Sequence, residues 1–172
     1  MIAPGGHLTV WNSQAILPGR LISGKGNGMS GELPEVAGID AFVPVAAPPG
    51  VWCWSAEAAG LPPVSVVVQE PATVAEFDAD SAAARLAEVS TLVTRADDAV
   101  RRAVIADPAR FGLDAESDPG CDEPEIVFFT GSEWLMRFAV TALPACVELG
   151  VAVHFDGVEV VEVDDLTEAV DL

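Results

Sequence analysis

"ELGVAVHFDGVEVVEV", residues 148 to 163, decides the fold class of this 172-residue chain. Apolar positions recur there with the two-residue period of a half-buried strand. Asp156–Gly157 interrupts the alternation with a pair that favours the left-handed conformations of a type I′ turn. The stretch therefore predicts a β-hairpin with its turn at Asp156–Gly157. Reading upstream, "EWLMRFAV" (133 to 140) and "EIVFFTG" (125 to 131) also alternate or run apolar, which extends the hairpin into a C-terminal β-meander. Residues 114 to 125, "DAESDPGCDEPE", read as an acidic loop containing proline and glycine.

Before that loop lies one long helical stretch, Asp78 to Asp107, with no glycine or proline inside it. Leu86, Val89, Val93, Ala96, Val100 and Val104 follow helical spacing, with Asp80 or Ser81 as the starting cap. The stretch predicts one helix, or two divided near Asp97–Asp98, ended by Pro108 and Gly112. The first third is a series of short apolar runs, "LTVW", "AIL", "RLIS", "AFVPVA" and "VWCW", punctuated by Gly and Pro. "VSVVVQ" (64 to 69) is β-branched, continuous and bounded by prolines. Strands, one helical segment and strands again indicate α+β. The expectation is a mixed or antiparallel sheet, one helical layer and a C-terminal β-meander in a single domain over residues 1–172.

Charge is the outlying property. Twenty-seven acids face eight bases, for a net charge of −19, and Lys25 is the only lysine. Binding to nucleic acid or anionic lipid rests on cationic side chains that displace counterions, so neither partner is expected. A basic protein partner would be attracted, and the same charge also keeps an apolar chain in solution. "MIAPGGHLTVW" has no charged and continuously apolar leader pattern, so no secretory signal is expected. The best apolar run, Phe138 to Val153, is interrupted by Pro144 and Glu148, and no membrane span is expected. Cys53, Cys121 and Cys146 are odd in number and widely spaced, which suits a reducing cytosol better than disulfides or structural zinc.

Residues 19 to 32, "GRLISGKGNGMSGE", spell two nucleotide motifs incompletely. A phosphate loop needs Ser or Thr after its lysine and a helix facing the phosphates, but position 26 is glycine and Pro34 follows closely. The overlapping G-x-G-x-x-G at Gly26 to Gly31 fails for want of the same helix. A glycine-rich hairpin tip is the better account, and no cofactor is expected. His154, on one strand face with Ala152 and Asp156, invites an acid–base reading, whereas a polar-face residue is the simpler one. Paired acids such as Asp97–Asp98, Asp122–Glu123 and Asp164–Asp165 read as solvated surface, and no metal site is expected. Trp52 and Trp54 share a strand face and read as core.

The segment "EWLMRFAV…ELGVAVHFDGVEVVEV", following a helix, resembles the ending of small bacterial domains that accompany polymorphic toxins as immunity proteins. Amino-acid usage, rich in Ala and Val and preferring Arg to Lys, suits actinobacterial members. In size and acidity the chain is similar to the immunity factors of tuberculosis-necrotizing-type toxins, which bind and block NAD glycohydrolases. The resemblance spans the last half of the chain and implies a cytosolic, non-enzymatic inhibitor, monomeric alone, that occludes a toxin's active site. For such a protein the expected contacts are the loop residues Gly24, Lys25, Gly26, Asn27 and Gly28, with Asp114, Glu116 and Asp118 meeting a basic face. The competing readings are an enzyme built around His154 and a generic protein-interaction domain.

Overall fold

The structure, a computed structural model, describes residues 33–115 and 117–166. Among the described residues seven strands form one sheet in sequence order: β1 (Val43–Val45), β2 (Val51–Ala56), β3 (Val64–Gln69), β4 (Asp122–Phe128), β5 (Glu133–Val140), β6 (Val151–Asp156) and β7 (Glu159–Asp164). Neighbours are antiparallel except β3 and β4, which run parallel. A parallel pair cannot be joined by a tight turn. Here the connection carries both helices, α1 (Ala79–Ala87) and α2 (Val89–Ala106). The fold is α+β with a mixed sheet, one helical layer and a C-terminal meander.

Alternation along the strands assigns the two faces. Trp54, Val66, Phe128, Trp134, Met136, Phe138, Val153 and Phe155 point to the helices and meet Leu86, Leu92, Ala96, Val100 and Val104 in one core. Trp52 packs against the same core, so both tryptophans belong to it. A second cluster, Cys53, Val67, Val127 and Phe129, lies on the opposite face. This explains why β3 reads as a continuous apolar run: Val66 and Val68 face one layer while Val67 faces the other.

Four local expectations need correction. The helical segment divides at Glu88, which ends α1 and begins α2, and not near Asp97–Asp98. Val89, Ser90 and Thr91 follow the break, and their branched or hydrogen-bonding side chains favour helix continuation poorly. The resulting phase buries Leu92 and Ala99 fully and leaves Val89 and Val93 half-buried. The α1 cap is Asp78, whose Oδ1 accepts from the Ser81 amide at 2.9 Å, and not Asp80 or Ser81. β4 begins at Asp122, inside the expected loop, and Pro124 pairs with Phe138 of β5. Proline is tolerated because β3 pairs with β4 only from Ile126 onward, so nothing on that side asks Pro124 for a donor. Finally, the turn residues of the C-terminal hairpin are Gly157 and Val158, with positive φ at Gly157 alone. Glycine at the first central position fits a type II′ turn, and not the type I′ turn expected at Asp156–Gly157.

The C-terminal edge strand is tied to the helical layer at both ends. Arg95 of α2 donates to the Val158 carbonyl, and Arg110 Nη2 donates to the Val163 carbonyl at 2.9 Å. Arg110 also pairs with Asp165 at 3.1 Å and lies over the Phe111 ring. A register shift between His154 and Phe155 interrupts the β6–β7 ladder. Side-chain caps and a bulge of this kind keep an edge strand from pairing indiscriminately.

Candidate partner-binding face

The face of the sheet turned away from the helices changes character between rows. Across β4, β5 and β6, Glu125 stands opposite Arg137 and Arg137 opposite Ala152. Arg137 donates to Glu125 Oε2 at 2.8 Å and to the Leu149 carbonyl at 2.7 Å. That row is charge-balanced and shielded, with 13 % and 20 % side-chain exposure for the arginine and glutamate. In the next row Leu135 faces His154, and His154 faces Glu162.

The row beyond is different. Glu133 is directly opposite Asp156, and Asp156 is directly opposite Glu159. All three are exposed, as is Glu162. Ser132 Oγ donates to Asp156 Oδ1 at 2.8 Å, which neutralises no charge. No described ion pair includes Glu133, Asp156, Glu159 or Glu162. Beside them Val161, displaced by the register shift, is 63 % exposed. The composition is a strip of carboxylates edged by aliphatic surface.

The residues expected from sequence fall differently. Gly24, Lys25, Gly26, Asn27, Gly28 and Glu116 lie outside the described residues. Asp114 is exposed. Asp118 is exposed but committed to the fold: its Oδ1 accepts from Arg101 at 2.9 Å and from the Gly120 amide at 3.1 Å. The Gly120 amide, with Arg101 beside it, holds the Asp118 carboxyl below the usual carboxylate range. Arg101 also binds Asp97 at 2.9 Å, so Asp97 and Asp118 are joined through one guanidinium. Asp118 is thus a turn-closing residue, while the face rich in uncompensated acid is the β5–β7 row.

The chemistry-bearing side chains are dispersed. His154 is half-buried between Leu135 and Glu162, on one face with Ala152 and Asp156 as its spacing predicts. Burial pushes the Cys53 and Cys146 thiols up to about 11 and the Cys121 thiol up to about 12. These thiols stay protonated at neutral pH and make poor nucleophiles. Among the described residues no group of three or more His, Cys, Asp or Glu is arranged to hold a metal ion. A shallow groove of about 850 Å³ between α2 and β7 is lined by Arg95, Asp98, Arg102 and Glu159, with Ser90, Thr91 and Thr94. Its mixed charges favour no single class of ligand. No helix among the described residues is long and apolar enough to cross a membrane.

The carboxylate row was visible in sequence as single acids but not as a row. Glu133, Asp156, Glu159 and Glu162 occupy polar positions of alternating strands, and only the order and register of β5, β6 and β7 align them. Comparison with protein-family models, curated proteins and solved structures finds no match to this chain.

Proposed function

We propose that this chain is a cytosolic immunity protein that binds a toxin enzyme directly and occludes its active site, with an NAD glycohydrolase as the target class. The observation that carries this reading is the excess of uncompensated acid on a folded scaffold. The net charge is −19, and the described ion pairs engage the carboxylates of Asp97, Asp118, Asp165 and Glu125. A field of that sign raises the encounter rate with a basic protein and disfavours anionic partners. Inhibition by occlusion asks of the protein a rigid, pre-folded surface and no catalytic group of its own. The two-layer core, with Phe111, Met136, Phe138 and Phe155 almost wholly buried, supplies that rigidity.

Association kinetics test the reading. The enzyme captured by this chain from its source cells should associate at a rate that falls at least tenfold between about 0.01 M and about 1 M ionic strength. Over that range the Debye length shrinks from about 30 Å to about 3 Å. Dissociation should change far less, since short-range contacts govern it. An association rate indifferent to salt would leave the acids with solubility as their sole role and remove the support for a basic partner.

A further inference from the structure

We propose that residues 8–23 of this chain dock across the apolar part of the sheet face that the helices leave open, and complete a further layer of the domain. The inference depends on no outside partner. Cys53, Val67, Val127 and Phe129 cluster on that face, and they are only 6 %, 1 %, 4 % and 8 % exposed. Both helices pack on the other face, against the larger core. The described apolar residues around the smaller cluster are Ala47, Val51 and Leu135. These belong to the sheet or to the β1–β2 turn, so they flank the cluster and do not lie over it. A strand face with water on it leaves its side chains open, as at Val45, which pairs with Cys53 at the sheet edge and is 40 % exposed. Burial as deep as that of Val67 therefore needs a covering layer, which stands about 10 Å from a sheet.

Composition and reach select the occupant. Outside the described residues lie 1–32, 116 and 167–172. Residues 167–172 carry Glu168 and Asp171 and continue from β7, on the far edge of the sheet from β2 and β3. Residues 8–23 supply "LTVW", "AIL" and "RLIS", with Arg20 as their one charge. Their apolar side chains gain by leaving water for apolar surface. Charge favours the same contact. Residues 1–31 hold Arg20 and Lys25 and no acid, so all twenty-seven acids and six of the eight bases follow them. A basic segment is drawn to so acidic a body. Leu33, the first described residue, packs with the core on the helical side. Residues 24–32 extend up to about 30 Å, at ~3.3–3.6 Å per residue, which is enough to round a sheet edge. The glycine-rich stretch is then the crossing between the two faces. A second copy is not required, because the burial is complete within one chain.

The test is nuclear magnetic resonance on the full chain with its valine methyls labelled. Nuclear Overhauser contacts should connect the Val67 and Val127 methyls to protons of residues 8–23. A mixture of labelled and unlabelled chains should show no such contact between molecules. Alkylation of Cys53 supplies a second readout. In a variant carrying Val10→Asp, Ile16→Asp and Leu21→Asp, Cys53 should react at least tenfold faster than in the parent. Cys146, which is buried in the helical-side core, should change less than threefold. Methyl contacts confined to neighbouring strands, or present only between molecules, would overturn the assignment. So would an unchanged rate at Cys53, or equal acceleration at both cysteines.

Discussion

Alanine in place of Gly150 should destabilise the protein by about 3–5 kcal/mol, a large share of the ~5–15 kcal/mol that holds a typical domain together. Gly150 ends the turn after Pro144–Cys146 and leads into β6, with φ of +80° and its amide donating to the Cys146 carbonyl at 2.7 Å. A Cβ there would stand 2.1 Å from the Phe138 carbonyl oxygen and 3.2 Å from the Ala139 Cα. Both belong to the backbone of β5, a central strand paired on each side, so neither can move aside cheaply. The positive φ adds strain of its own. Gly38 and Gly60 separate the two effects: their φ values are +93° and +81°, but a Cβ at either meets nothing within 4 Å. Alanine there should show the strain alone, about 1 kcal/mol or slightly more. Chemical denaturation of the three variants measures the difference. Equal losses at all three positions would mean that Gly150 is needed for its conformation and not for the close approach to β5.

Trp134→Ala should cost about 3–5 kcal/mol, the range for removing a large buried aromatic. Trp134 is 2 % exposed and stacks on Phe155 with ring centroids 4.2 Å apart and planes within 9°. Its Nε1 donates to the Gly157 carbonyl at 2.7 Å. One side chain therefore joins β5 to β6 through packing and fixes the hairpin turn through a hydrogen bond. Trp134→Phe keeps a ring against Phe155 and removes the donor, and should cost about 1–3 kcal/mol. Because Glu133 precedes Trp134 and Asp156 precedes Gly157, this anchor also sets the spacing of the carboxylate row. A phenylalanine variant as stable as the parent would show that the indole N–H contributes nothing to the hairpin.

Class-level features were legible because local rules and burial agree in them. The alternation of Val151, Val153 and Phe155 against His154 and Asp156 was sufficient to predict a half-buried strand, and the helical spacing around Ala96, Val100 and Val104 to predict the covering layer. Boundaries were less legible where a choice depends on tertiary packing. Asp78, Asp80 and Ser81 are all competent caps, and only the entry of the chain from the preceding turn at Val74–Glu76 selects Asp78. Gly157 can take the first or second place of a hairpin turn, and the pairing of Asp156 with Glu159 selects the first. The structural role of Asp118 was not legible because its partner Arg101 is seventeen residues away on α2. Its conspicuous setting, in an acidic loop, concealed that it shares the Arg101 guanidinium with Asp97. The β5–β7 row shows the converse: ordinary single acids become a concentrated charge once three strands are in register.

On the proposed function, this acidic scaffold inhibits an enzyme by binding it. The most direct measurement is the rate of NAD hydrolysis by the enzyme that the chain captures from its source cells, recorded as purified chain is added. The rate should fall in proportion to added chain and vanish near a one-to-one ratio, with the chain alone neither consuming nor retaining NAD. A captured enzyme whose hydrolysis continues unchanged under saturating chain, or a chain that itself consumes NAD, would contradict the claim.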